Sequence, residues 1–147
     1  MTRSLRKTIA DLLTTQKLGI LATLGHAYPY QNIVAFAASG DLKNILFATR
    51  RSTSKYKNLK SRKRVAIFID DRSNRETDFH DATGVSVLGA ARELRGADRQ
   101  KFMKLFLRKH PSLHDFLSAP DCALFAIRVQ VYYAVLHFQD VVEVRMM

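Results

Sequence analysis

The sequence predicts a mainly β fold with inserted helices, closed into a small barrel. Three observations predict it. Six or seven short apolar runs, rich in β-branched and aromatic residues, are separated by Gly, Pro, Ser and Asn/Asp clusters. Two intervening segments carry apolar residues at helical spacing instead. Strands joined by short loops, with no regular strand–helix alternation, argue against an open parallel sheet. The 147 residues are 47% hydrophobic, with few Gly and Pro, so a single domain over 1–147 with a substantial core is expected and a disordered chain is excluded. No apolar run reaches about 18 residues, which excludes a membrane-spanning helix. The lone Cys122 excludes an intramolecular disulfide and a multi-thiolate zinc site.

Residues 4 to 15 read as a short amphipathic helix. Leu5, Ile9, Leu12 and Leu13 recur on one face, and Ser4 is the expected cap. Arg3, Arg6 and Lys7 stand before the apolar LGILATLG, but Asp11, Gln16 and Lys17 interrupt any signal-peptide core. The segment is therefore expected to be mature sequence of a cytoplasmic protein. Leu18 to Leu24 reads as a first strand, Gly25 to Pro29 as a turn, and Tyr30 to Ala38 as a second strand. Ser39-Gly40-Asp41 makes a hairpin loop into a third strand, Asn44 to Thr49. The three form an expected antiparallel meander.

Arg50 to Arg64 (RRSTSKYKNLKSRKR) holds eight of the 24 basic residues and no acid. Ser52, Thr53 and Ser54 are N-cap candidates, and Tyr56 and Leu59 share a face, so a helix of about two turns is expected. Val65 to Asp70 is the fourth strand, Asp71 to Ala82 a polar loop, and Thr83 to Leu94 a fifth strand whose two glycines mark a bulge or a close backbone approach. Asp98 to Lys109 is a second helix, with Phe102/Phe106 and Met103/Leu107 at i, i+4. Pro111 ends it, and a further helical turn follows over Ser112 to Leu117. Ala123 to Phe138 is a long, bent strand, with Phe125, Ile127, Val129, Val131, Tyr133 and Val135 expected on one face. Asp140 to Arg145 pairs back on it.

The basic segment is the strongest chemical feature. A Ser/Thr-rich turn opening a helix offers free backbone N–H groups and the positive end of the helix dipole, and Lys55, Arg50 and Arg51 add full charges. Such a turn can hold a phosphate monoester through charge-assisted hydrogen bonds; it can equally be a solvated basic surface. The net charge of +11 calls for an anionic partner without naming one. Nucleic acid is disfavoured, because Phe36, Phe47, Phe68 and Phe125 sit in apolar strands that core packing explains. His110 and His114 straddle Pro111 with no third ligand, so no metal is expected. His80 reads as a loop residue and Cys122 as an inert core thiol. No nucleophile or dinucleotide motif occurs, so the chain either only binds or takes its chemistry from a cofactor.

YPYQNIVAFAAS, NILFATRRSTSKYKNLKSRKRVAIFID and TGVSVLGAAREL stand in this order between Tyr28 and Leu94. The ordered set resembles the pyridoxamine 5'-phosphate oxidase-like family of FMN-binding split barrels. The resemblance implies FMN as cofactor, with its ring along Asn32, Ile33, Val34, Ala35 and Phe36. It places Ala48 and Thr49 beside the ribityl chain and Ser54 and Lys55 on the phosphate, with Arg50 and Arg51 as neighbours. It implies a homodimer with the flavin between subunits, and a small-molecule substrate or electron acceptor served from reduced nicotinamide. The fifth strand and the long last strand are then expected to supply partner-side contacts. Asn32 replaces an Arg of the oxidases and Gly84 stands near a Gln of theirs. The chain also has no Trp and ends at Met147 without their substrate-binding segment, so vitamin B6 oxidation is not expected. Two alternatives stay open: a non-catalytic basic barrel binding nucleic acid, and the same fold holding haem or a deazaflavin.

Overall fold

The computed structural model describes residues 1–146; Met147, the last residue of the expected domain, lies outside the described residues. The elements are α1 (Arg3–Thr15), β1 (Leu18–Leu24), β2 (Pro29–Ala38), β3 (Asn44–Arg50), α2 (Ser54–Ser61), β4 (Arg64–Asp70), α3 (Asp78–Asp81), β5 (Gly84–Glu93), α4 (Gly96–Lys109), α5 (His114–Ser118), β6 (Cys122–Leu136) and β7 (Asp140–Arg145). The antiparallel strands run β3-β2-β1-β4-β5-β6-β7, and β3 also pairs with β6. Six strands thus close a barrel, and β7 hangs on the outer side of β6. Among the described residues, closure leaves only β7 with a free outer edge along its whole length.

Helix α1 buries Ile9, Leu12 and Leu13 against the barrel. Its cap is Thr2, whose Oγ1 accepts from the Leu5 N–H at 3.1 Å, and not the expected Ser4, which lies inside the first turn. The expected loop over Asp71 to Ala82 contains the short helix α3. The Asp78 carboxylate organises it by accepting from Ser73 N and Oγ, Asn74 N and Arg75 N.

The barrel interior is filled by Phe36, Ile45, Phe47, Ile67, Val85, Phe125 and Tyr132, among others. A second apolar cluster lies outside it, where Phe106 of α4 and Leu117 of α5 cover Leu46, Leu124 and Ala126. The first half of β6 is therefore buried on both faces. The expected single apolar face of β6 needs correction. Leu88 pairs with Val131 and Gly89 with Val129, so Gln130 has no partner and the phase slips by one residue. Phe125, Ile127 and Val129 point into the barrel before the bulge, whereas Tyr132 and Ala134 do so after it. Gly89 permits this, since a Cβ there would stand 2.2 Å from the Arg128 carbonyl oxygen.

Candidate functional site

Three elements meet at the turn after β3. The Thr53 hydroxyl caps α2 by accepting from the Tyr56 N–H at 3.2 Å, while it donates to the Arg50 carbonyl at 2.9 Å and lies 3.0 Å from the buried Thr49 hydroxyl. Thr53, and neither Ser52 nor Ser54, is thus the cap. Ser54 is left exposed at the first helical position. The N–H groups of Ser54 and Lys55 point out of the first turn, where helix geometry supplies no carbonyl to receive them.

The cations of the segment differ in their commitments. Arg51 donates to Glu93 Oε2 at 2.8 Å and to the Pro120 carbonyl at 2.9 Å. Glu93 also accepts from the Tyr56 hydroxyl at 2.8 Å. Burial pushes the Glu93 carboxyl up, but the hydrogen bonds from Arg51 and Tyr56 outweigh it and hold the group below its usual range. Arg51 therefore ties the turn to β5 and does not face outward as a free charge. Arg50 is half exposed, 3.5 Å from Asp121 and 5.8 Å from the Phe116 ring centroid. Lys55 is half-buried, and burial alone pushes its ammonium below the usual lysine value. No carboxylate lies within ion-pair distance of it among the described residues.

Strand β2 changes partner halfway. It pairs with β1 from Pro29 to Ala35, and with β3 only from Phe36 to Ala38. Ala48, Thr49 and Arg50 of β3 pair with β6 alone. The two strands splay apart beyond Phe36 and Phe47, leaving one edge of β2 open along Asn32 to Ala35, with α2 following the far strand. Val34 and Phe36 point into the core, Ile33 is 62% exposed, and Ala35 is half-buried. The Asn32 Oδ1 is buried with no hydrogen-bond partner, a costly state that a ligand N–H would relieve. An open strand edge, an orphaned acceptor and a free ammonium beside helix N–H groups are compatible with a ring-and-phosphate ligand such as FMN.

The pivot of β2 is held from behind. The buried His110 Nε2 lies 2.7 Å from the Phe36 carbonyl oxygen, which can only accept, so Nε2 carries the proton. Burial pushes the His110 pKa down. The neighbouring Lys109 donates to the Leu13 carbonyl at 2.7 Å and sits 3.8 Å from the Phe36 ring centroid. Burial lowers its pKa to about 8. His114 is solvent-exposed and points elsewhere. No group of three or more His, Cys, Asp or Glu able to hold a metal occurs among the described residues. Cys122 is buried, which pushes its thiol up. No helix among the described residues is long and apolar enough to cross a membrane.

An open pocket of about 620 Å³ lies away from this turn, under α3 and the β6–β7 turn, where Phe68, Phe79 and Phe138 wall it. The reading of the sequence missed it, as it missed Glu93 and the hydrogen bond that Tyr56, expected only on the helix face, donates to it. The available signals were Phe79 alone in a polar stretch, Phe138 just past a strand end, and one acid closing the apolar run of β5.

A scan of protein families matches residues 5–136 to pyridoxamine 5'-phosphate oxidase. A search of the curated proteins finds no match. Among solved structures, the chain is similar to a haem-binding protein from Mycobacterium smegmatis, with 19% identity and a TM-score of 0.82, over 95% of this chain and 56% of that one. The chain thus spans little more than half of that protein. It is similar to a general stress protein 26-related protein of the pyridoxine phosphate oxidase family from Clostridium acetobutylicum, with 16% identity and a TM-score of 0.77, over 99% and 97% of the two chains. It is also similar to an FAD-binding protein from Mesorhizobium loti, with 20% identity and a TM-score of 0.67, over 91% and 94%. At these identities the structures speak for the fold, a barrel of the expected kind.

Proposed function

This chain belongs to the pyridoxamine 5'-phosphate oxidase family, and on that premise we propose that it is an FMN-binding flavoprotein, working as a homodimer, that passes electrons between reduced nicotinamide and a small acceptor. The observation that carries the reading is Lys55, an ammonium drawn out of water without a carboxylate beside it, next to the unpaired N–H groups that open α2. A desolvated cation is poised for a charged ligand, and a phosphate monoester satisfies the ammonium and the helix N–H groups together. Ser54 adds its hydroxyl. Arg50 contributes charge at the rim, and Arg51 acts through Glu93 to hold the turn in place.

The open edge of β2 and Asn32 then orient the ring, with Ile33 against one face, Val34 and Phe36 anchoring the strand in the core, and Ala48 and Thr49 bordering the chain between ring and phosphate. When bound, the flavin supplies the redox chemistry; the chain contributes binding, orientation and a basic surrounding that favours an anionic reduced ring. Dimer formation is supported by the barrel's outer face. Ile33, Ile20 and Phe68 lie in one cross-strand row, and Ile33 (62%), Leu18 (56%) and Phe68 (37%) are all exposed.

A spectrum of the freshly purified chain, followed by FMN titration and anaerobic mixing with reduced nicotinamide, tests the reading. A flavin spectrum released on denaturation, or stoichiometric uptake of FMN, is expected. A colourless chain that takes up no FMN overturns it. A Soret band would favour haem instead, and co-purifying nucleic acid with steep salt dependence would favour the nucleic-acid alternative. Sedimentation of Ile33→Asp should show monomer where the parent is dimeric.

A further inference from the structure

Strand β2 passes from one neighbour to another at Phe36, and the hydrogen bonds of that residue show what holds the junction. In an antiparallel ladder a residue sends its N–H and its C=O to the same neighbour, and the next residue sends both to the other side. The Phe36 N–H donates to the Lys17 carbonyl at 3.3 Å, so Phe36 faces the β1 side. By alternation Ile33 and Ala35 turn their N–H groups to the opposite edge, the one left open where β3 splays away.

The ladder with β1 stops at this point. A continued pair would return a bond from the Lys17 N–H to the Phe36 carbonyl. Helix α1 ends at Thr15, however, the Gln16 N–H still donates to the Leu12 carbonyl, and the returning bond is absent among the described residues. A buried carbonyl left without a donor is costly. His110, from the end of α4, supplies the donor instead, with Nε2 2.7 Å from the oxygen.

The imidazole is fixed from several sides. The His110 N–H donates to the Phe106 carbonyl at 3.0 Å, and its carbonyl accepts from the Leu113 N–H at 3.1 Å. Its ring lies against Phe106 with centroids 5.0 Å apart, and only 7% of the residue is exposed. Pro111 stops α4 from running on, so the helix breaks where His110 meets β2. Burial, and then the charges of Lys109 and Lys17, outweigh the Phe36 bond and keep the ring neutral. Lys109 grips the same strand residue, with Nζ 3.8 Å from the Phe36 ring centroid. The end of α4 thus holds both the side chain and the carbonyl of Phe36.

We propose that His110 is a positioning residue for the ring site: it replaces the donor that β1 lacks and so sets the angle at which β2 presents Ile33 and Ala35 at its open edge. The inference rests on the FMN reading and goes beyond it, because His110 bonds the opposite edge of the strand and acts through the backbone.

The test separates ring from phosphate. FMN is titrated into the full chain, and inorganic phosphate competes for the α2 turn alone. His110→Asn is polar but a methylene too short to reach the Phe36 carbonyl, whereas His110→Gln places an amide N–H at the reach of Nε2. His110→Asn should weaken FMN binding about tenfold and raise the fluorescence of the bound ring, while the phosphate competition constant stays within about twofold. His110→Gln should bring FMN affinity back to within about threefold of the parent. His110→Ser repeats the measurement should the Asn side chain not be accommodated. Leu117→Ala opens a cavity in the same outer cluster and is the control: it should lower Tm without moving the FMN-to-phosphate ratio. Unchanged FMN affinity in the short variants overturns the proposal. Equal losses in His110→Asn and His110→Gln, or equal losses of FMN and phosphate, overturn it too, since they mark a histidine that only fills the core. A parent chain that takes up no FMN overturns the FMN reading and this inference with it; uptake by the parent with any of the other adverse results overturns the inference alone.

Discussion

Replacing Lys55 by Ala separates ligand binding from stability. In the free protein the ammonium is half-buried without a partner, so its removal should leave the urea midpoint unchanged or slightly raised. In the FMN complex the same group donates to a phosphate, and a hydrogen bond to a charged group contributes about 1.5–3 kcal/mol. At about 1.4 kcal/mol per decade, FMN affinity should fall roughly 10- to 150-fold. Calorimetric or fluorescence titration of FMN reads this directly. Lys60→Ala is the control: its side chain is exposed, with Nζ 5.8 Å from the Tyr56 centroid, and its loss should cost less than about 0.5 kcal/mol. The pH profile has a definite sign. Burial lowers the Lys55 pKa, so FMN affinity should decline with rising pH before an ordinary lysine would titrate. Equal affinity in the parent and Lys55→Ala would refute the reasoning. Equal losses in Lys55→Ala and Lys60→Ala would refute it too, by showing only a diffuse effect of net charge.

The two glycines of β5 should behave differently. Gly89→Ala drives a Cβ to within 2.2 Å of a backbone oxygen and should destabilise by more than about 2 kcal/mol in urea unfolding. Gly84→Ala meets only the outer end of the Phe68 ring and should cost less than about 1 kcal/mol, shifting that ring instead. Arg51→Ala leaves Glu93, only 10% exposed, without its strongest partner and should destabilise by about 2–4 kcal/mol at neutral pH. The loss should shrink as pH falls below the usual glutamate range, where the parent also loses the pair. Lys109 has a folded pKa of about 8 against an ordinary 10.5. Its linkage therefore adds no stability below about pH 8 and progressively more up to about 10.5. Lys109→Met should abolish that rise in melts taken at pH 7 and pH 10, while changing stability at pH 7 by less than about 1 kcal/mol.

The elements and their order were legible because each rests on neighbours a few residues away. Apolar runs bounded by turn residues marked β1 to β5, the i, i+4 aromatics marked α4, and a hydroxyl before a basic run marked the start of α2. The cap of α1 was misplaced by two residues, Thr2 for Ser4, whereas Thr53 was one of three hydroxyl candidates for α2. Several adjacent side chains could serve, and only the entering backbone decides among them. The face of β6 beyond Gln130 was misread because the bulge is set by how closely Gly89 approaches Arg128 on another strand.

By itself, then, the amino-acid order determined a barrel-forming set of strands, a helix opening on a cationic turn, and a family resemblance that the match over residues 5–136 bears out. The tertiary structure alone decided which cation of that turn is free. Arg51 and Lys55 are four positions apart and look alike in sequence, but Arg51 meets a carboxylate 42 residues away and Lys55 meets none. It also decided that Phe68, Phe79 and Phe138, scattered over the chain, wall one open pocket. Periodicity and capping depend on short-range backbone geometry, whereas charge pairing and cavities depend on strand register and closure, which bring together residues that share no local pattern.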